Sequence, residues 1–265
     1  MKFSKNVVSV FLALVTSTVP LAARADAAAE KGLAIAVETD HRDAGFSDSV
    51  AEASMELRDA AGTSTTRRFR MLTLEQKTDG DRTLVVFNQP VDLSGTAVLT
   101  WSHALTADDQ WLYLPALKRT KRIASKNKAA AFIGSEYAFE DLSAWEVKKF
   151  TYRFLREENL EGADCFVVEN TPAYEDSGYS RQVEWVDKTM YQPRRIDYYD
   201  REGALLKSMK FSDYKLYLGK HWRAGLQTME NTKTGKSTRL QWASWRFKTG
   251  LTAGDFTADA LERQQ

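Results

Sequence analysis

The chain has 265 residues, with 37 lysines and arginines set against 36 aspartates and glutamates and a single cysteine, Cys165. A nucleic-acid-binding protein would carry a basic surplus that this balance lacks. One thiol cannot form an internal disulfide, so stability has to come from a hydrophobic core.

Lys2 and Lys5 precede an apolar run over residues 7–15 broken only by Ser9, and Ala23 and Ala25 flank Arg24. This is the layout of a secretory signal peptide ending at Ala25, with Ala27 as a second cleavage position. Its apolar core of roughly ten residues falls short of the ~20 that a spanning helix needs. The expected division is therefore a cleaved leader over 1–25 and one domain over 26–265. Cleavage removes Lys2, Lys5 and Arg24 and moves the formal charge from +1 to −2. No cysteine lies near the cleavage site, so the protein itself is not expected to be a lipoprotein. Residues 27–37 are small and helix-favouring; Leu33 and Val37, at i and i+4, predict the buried stripe of a short helix, with Ile35 off that face.

From there the chain is punctuated by turns at Gly62, Asp79-Gly80 and Ser94-Gly95, and then at Gly162, Gly178, Gly203, Gly219, Gly235 and Gly250. Between them apolar residues alternate: Phe69 and Met71; Val85 and Phe87; Phe150, Tyr152 and Phe154; Phe166 and Val168; Val183 and Trp185; Ile196 and Tyr198; Met209 and Phe211. Period-2 runs joined by short turns predict antiparallel strands with one buried face. Strands of about ten residues span about 33 Å, long enough for a meander to curl. The fold class is thus mainly β, a single curved antiparallel sheet. Cys165, between Asp164 and Phe166, reads as a small core residue.

Residues 108–143, DDQWLYLPALKRTKRIASKNKAAAFIGSEYAFEDLS, concentrate the remaining signals. WLYL reads as a strand stopped by Pro115, which lacks a ladder donor. A basic run from Lys118 to Lys128 follows, then the small apolar AAAFIG, then Glu140 and Asp141. The WLYLPALKR and FIGSEYAFEDL strings resemble the signature of the LolA-like outer-membrane lipoprotein-sorting family. MELRDAAG with RRFRMLTLE, FNQPVDLSGTAVLTWSH, EGADCFVVENTP, YYDREGALLKSMKFSDY, MENTKTGKST and DFTADALE are similar to that family's pattern in its order, from about Glu52 onward. The resemblance implies an open half-barrel with short helices or a lid loop at its mouth, and a periplasmic location. It also implies a lipid or acylated lipoprotein as cargo, with an inner-membrane lipid exporter or an outer-membrane acceptor as partner.

Catalytic frameworks are missing. His41, His103 and His221 stand in unrelated segments and are expected at the surface or strand edges; no zinc-binding spacing, nucleophile elbow or phosphate loop is present. Glu140 and Asp141 are adjacent, poor geometry for a dyad if the segment is extended, and are expected to cap a helix or pair with lysines. No catalytic residue, metal or cofactor is expected. Two constellations remain. The first is an apolar lining for cargo. Strand parity puts Leu112 with Leu114, and Leu99 with Trp101, and leaves open which set faces inward. We expect Leu99, Trp101, Leu112 and Leu114 to line the concavity, joined by Met71 or Leu72 and by Phe132 and Ile133 from a lid. The second is the basic run, where Lys118, Arg119, Lys121 and Arg122 either blunt a sheet edge or meet anionic headgroups or an acidic partner. The expected function is a monomeric carrier that moves its cargo without covalent chemistry. The rival readings are a lipoprotein-sensing regulatory domain and a periplasmic hydrolase.

Overall fold

The computed structural model describes residues 21–263, so all but the last five residues of the expected leader lie outside the described residues. A helix, α1 (Leu21–Asp43), leads into β1 (Asp48–Arg58), β2 (Ser64–Leu74), β3 (Arg82–Gln89), β4 (Ala97–Trp101), β5 (Asp109–Leu114) and β6 (Arg119–Ile123). After a connecting segment over residues 124–149 come β7 (Phe150–Leu160), β8 (Ala163–Pro172), β9 (Tyr179–Asp187), β10 (Pro193–Asp200) and β11 (Leu205–Ser212). The chain continues through β12 (Lys215–Tyr217), β13 (His221–Arg223), β14 (Leu226–Asn231), β15 (Ser237–Phe247) and a short helix, α2 (Ala258–Glu262).

Thirteen strands form one antiparallel sheet in the order β6-β5-β4-β3-β2-β1-β15-β14-β11-β10-β9-β8-β7, with β12 and β13 as a separate hairpin. The edges β6 and β7 are consecutive in the chain yet lie at opposite ends of the sheet, which is therefore open. The mainly-β expectation holds, as does the strand stop at Pro115, which begins a 3₁₀ turn directly after β5. No helix among the described residues is long and apolar enough to cross a membrane.

At β3 both faces of the sheet are covered, which is why Thr83 to Phe87 are buried without a break rather than at alternate positions. On the inner face Met55, Phe69, Val85, Phe87 and Val98 pack together. On the outer face Leu84, Val86, Ala97, Leu99 and Tyr113 lie beneath Phe256 and Leu261 of the C-terminal segment. Trp101 seals that contact by donating its indole N–H to the Phe256 carbonyl at 2.7 Å.

The connecting segment runs inside the trough. Phe132, 1% exposed, lies 5.7 Å from Phe87 and 5.7 Å from Phe139, ring to ring. Hydrogen bonds pin the backbone around it: the Glu136 N–H donates to Thr238 Oγ1 at 2.9 Å, the Glu136 carbonyl accepts from Lys207 Nζ at 2.8 Å, and Arg67 donates to the Ile133 carbonyl. A buried ion pair, Lys207–Asp141 at 2.7 Å, fixes the far end. The AAAFIG run, expected as a lid that opens, is instead a plug. An apolar ring surrounded by Phe87, Phe139 and the inner sheet has no exposed position as favourable.

Helix α1 crosses the mouth of the trough and buries Ile35 and Ala36 against Tyr152, Val168 and Val186. Leu33 and Val37, the expected buried stripe, are about half exposed, and this reverses the sequence reading of the helix. The reason is Gly32. A Cβ there would stand 2.8 Å from the Phe154 nitrogen and 2.9 Å from that of Arg153, so the glycine lets the helix lie directly on β7 and sets which face turns in.

Candidate functional site

The plug occupies only one end of the trough. At the other, where β1 and β3 begin and β2 and β15 end, a cavity of about 1000 Å³ stays open under α1 and the β12–β13 hairpin. Met71, Ile196, Met209, Phe211, Trp242 and Trp245 give it apolar walls. The two indoles lie 4.8 Å apart at 41°, and Trp245 stacks on Phe247 at 6.1 Å, so the aromatic wall is held from behind. Methionines and aromatics side by side make a lining that adapts to ligands of variable shape.

Of the residues expected to line a cargo site, only Met71 borders this cavity. The expected grouping of Leu99 and Trp101 with Leu112 and Leu114 fails on register. Leu99 pairs with Trp111 and Trp101 with Asp109, whereas Leu112 pairs with Val98. Directly paired residues of antiparallel strands share a face, so Leu112 and Leu114 point inward while Leu99, Trp101 and Leu72 point outward under the C-terminal segment. Phe132 is in the plug, and Ile133 packs beside it. The basic group comes out as an exposed edge: Lys118, Arg119, Lys121 and Arg122 are all exposed on β6 and the turn before it. Lys128 is not part of that surface, being buried and paired with Asp108 at 3.6 Å.

Asp141 caps its 3₁₀ turn by accepting from the Ala138 N–H at 2.7 Å, and its lysine partner is Lys207, distant in sequence. Glu140 accepts from the Gly178 N–H at 2.9 Å, from Ser177 at 3.0 Å and from the Tyr174 hydroxyl at 3.2 Å. Cys165 is fully buried, and burial pushes its thiol up to about 11. His41 is exposed, and His103 lies between Asp79 and Asp109 at 2.6 and 3.3 Å. His221, contrary to expectation, is buried between Phe46 and Phe247, because the β12–β13 hairpin folds it inward. Among the described residues no group of three or more histidine, cysteine or acidic side chains is placed to hold a metal.

A family model described as "Uncharacterized protein" matches residues 79–263. A domain from Vibrio parahaemolyticus named for outer membrane lipoprotein sorting is 51% identical over 89% of this chain and 100% of its own, with a TM-score of 0.87. The chain belongs to the LolA-like outer membrane lipoprotein-sorting protein family. A DUF1329 family protein from Desulfovibrio piger is 33% identical over 88% of this chain and 99% of its own, with a TM-score of 0.84. A LolA superfamily protein from Nitrosomonas europaea, 19% identical over 86% of this chain and 98% of its own, shares the fold at a TM-score of 0.70. No curated protein matches the chain.

This lipoprotein-sorting family member also holds polar groups that sequence reasoning passed over. Glu184 lies in QVEWV, where alternation assigns Val183 and Trp185 to the buried face and the glutamate to solvent. Val183 and Trp185 are buried, but on the outer face with Cys165 and Val167, and Glu184 turns into the cavity. Burial pushes its carboxyl up to about 7, against a hydrogen bond from Asn170 Nδ2 at 2.8 Å that acts downward. Asp81, at the mouth, is likewise pushed up to about 7, chiefly by burial and further by Glu146, Glu75 and Asp43, while the Gln76 N–H holds it down. Nothing in the alternating QVEWV string marks Glu184 as a cavity residue.

Proposed function

We propose that the protein is a periplasmic carrier that binds a lipid or an acylated lipoprotein in this cavity and passes it between membrane components without a covalent step. The observation that carries the reading is the cavity itself. It is a half-open space of about 1000 Å³ with methionine and indole walls, at the end of an open sheet in a family named for lipoprotein sorting. At about 0.8 kcal/mol per buried CH₂, a sixteen-carbon chain resists exposure to water by on the order of 12 kcal/mol, so it crosses an aqueous compartment only when sheltered. Export to the periplasm follows from the leader expected over 1–25. The basic edge on β6 is the surface that meets an anionic membrane or an acidic acceptor.

Protein purified from the periplasm without detergent should release long-chain lipid into an organic extract read by mass spectrometry, and its N-terminus should be Asp26 or within about two residues of it. Trp245→Glu, which brings a charge into the apolar wall, should empty the extract while the circular dichroism of the sheet is retained. Folded wild-type protein that carries no lipid and takes none from vesicles sinks the carrier reading.

A further inference from the structure

The cavity is apolar along its walls and acidic at both ends. At the inner end Glu184 is 8% exposed. Asn170 donates to one of its carboxyl oxygens, and among the described residues no second hydrogen bond reaches the carboxyl. Asn170 is itself 1% exposed, and its Oδ1 finds no donor. At the outer end Asp40 of α1, Glu75, Asp79 and Asp81 around the turn after β2, and Glu146 of the connecting segment border the same space. Most cations on the walls are engaged: Arg223 pairs with Asp43, and Lys128 and Lys149 both pair with Asp108. Lys77 and Lys148 remain. Glu140 and Asp141 are engaged by the hydroxyls, backbone N–H and lysine described above.

We infer that the cavity selects neutral amphiphiles bearing hydroxyl or amide N–H donors and turns away lipids with anionic heads, and that Glu184 reads the difference. This rests on the carrier reading and specifies its cargo class. A carboxyl with an unengaged oxygen accepts a hydroxyl or amide proton in either protonation state, whereas a phosphate or carboxylate beside it places two negative charges in a poorly hydrated space. The acids at the mouth act in the same sense on a head that stays outside. The titratable groups facing Glu184 are the phenols of Tyr152, Tyr198 and Tyr214, all held neutral by burial; no cation among the described residues lowers its pKa. Because burial raises the Glu184 carboxyl to about 7, the rejection of anions sharpens as pH rises through neutrality.

The test is a fluorescence titration reading Trp242 and Trp245 with monopalmitoylglycerol and with hexadecanesulfonate, a permanently ionised head on a chain of similar length. At a pH of about 8 the glycerol lipid should bind at least about tenfold more tightly. Glu184→Gln, which removes the charge, should cut the preference to about threefold or less. In wild-type protein the preference should widen from a pH of about 6 to about 8, a check that holds even if the variant does not fold. Equal affinity for the two ligands, a preference unchanged by Glu184→Gln, or a flat pH series overturns the inference and leaves the carrier reading standing. Failure of both ligands to bind overturns both.

Discussion

Single buried carboxyls set part of the way stability follows pH. Glu184 has an ordinary value of 4.5 and is raised to about 7 in the folded chain. Between those values the folded protein holds a proton that the unfolded chain has already released. Its stabilising effect is therefore complete below the ordinary value and is lost as pH rises through about 7. Asp81, raised in the same way, acts in the same direction. Replacing Glu184 with glutamine removes one of these two slopes. Urea unfolding at pH values of about 5 and 8 should show the variant gaining on wild type by on the order of 3 kcal/mol toward the higher pH. Parallel curves for the two proteins would mean that the carboxyl is solvated and that the cavity is wetter than its lining suggests. Glu184 was illegible in the sequence because alternation reports which residues share a face, not what lies over each face. In β9 both faces are covered, and the expected direction of the charged residue inverts.

Among the elements, α1 is the one whose position governs the mouth of the cavity. It rests on β7 through Gly32, whose absent side chain leaves room for the backbone of Arg153 and Phe154, and it places Thr39 and Asp40 over the opening. Alanine favours a helix over glycine by about 1 kcal/mol, so Gly32→Ala should stabilise α1 in isolation. In the protein the added methyl meets backbone at 2.8 Å, and backbone cannot swing aside. The expected outcome is an unchanged sheet, faster amide exchange along α1 and quicker loss of bound lipid. Slower exchange with lipid retained would show that α1 does not close the cavity. The plug behaves differently because it is tied by side chains from three strands, Arg67, Lys207 and Thr238. An apolar run beside a glycine reads as a hinge in sequence, since the partners that immobilise it lie tens of residues away.

For the whole molecule the important asymmetry is one of charge. The cavity mouth is acidic, whereas the sheet edge at β6 exposes Lys118, Arg119, Lys121 and Arg122, the last engaged by Asp109. A carrier with this arrangement can approach an anionic membrane by its edge while keeping anionic heads out of its cavity. Arg119→Glu with Lys121→Glu should leave the melting temperature close to that of wild type, because both side chains are exposed. At about 1 kcal/mol per basic residue near an anionic surface, the same pair should weaken co-sedimentation with phosphatidylglycerol vesicles by about tenfold or more at low salt and little at high salt. Equal binding at both salt levels would reduce the edge to a device against strand pairing. The sequence by itself determined the mainly-β class with one antiparallel sheet, the long strands, the stop at Pro115, the inert Cys165 and the exposed basic edge. Each of these depends on local alternation, turn chemistry or charge, which a chain carries wherever it folds. The family, too, was legible from its strings. Only the tertiary structure decided that Leu99 and Leu112 face opposite ways, that Phe132 is a plug, that Ile35 rather than Leu33 is buried and that Glu184 lines the cavity. Those outcomes turn on inter-strand register and on what covers each face of the sheet, and both are set by contacts between residues far apart in the chain.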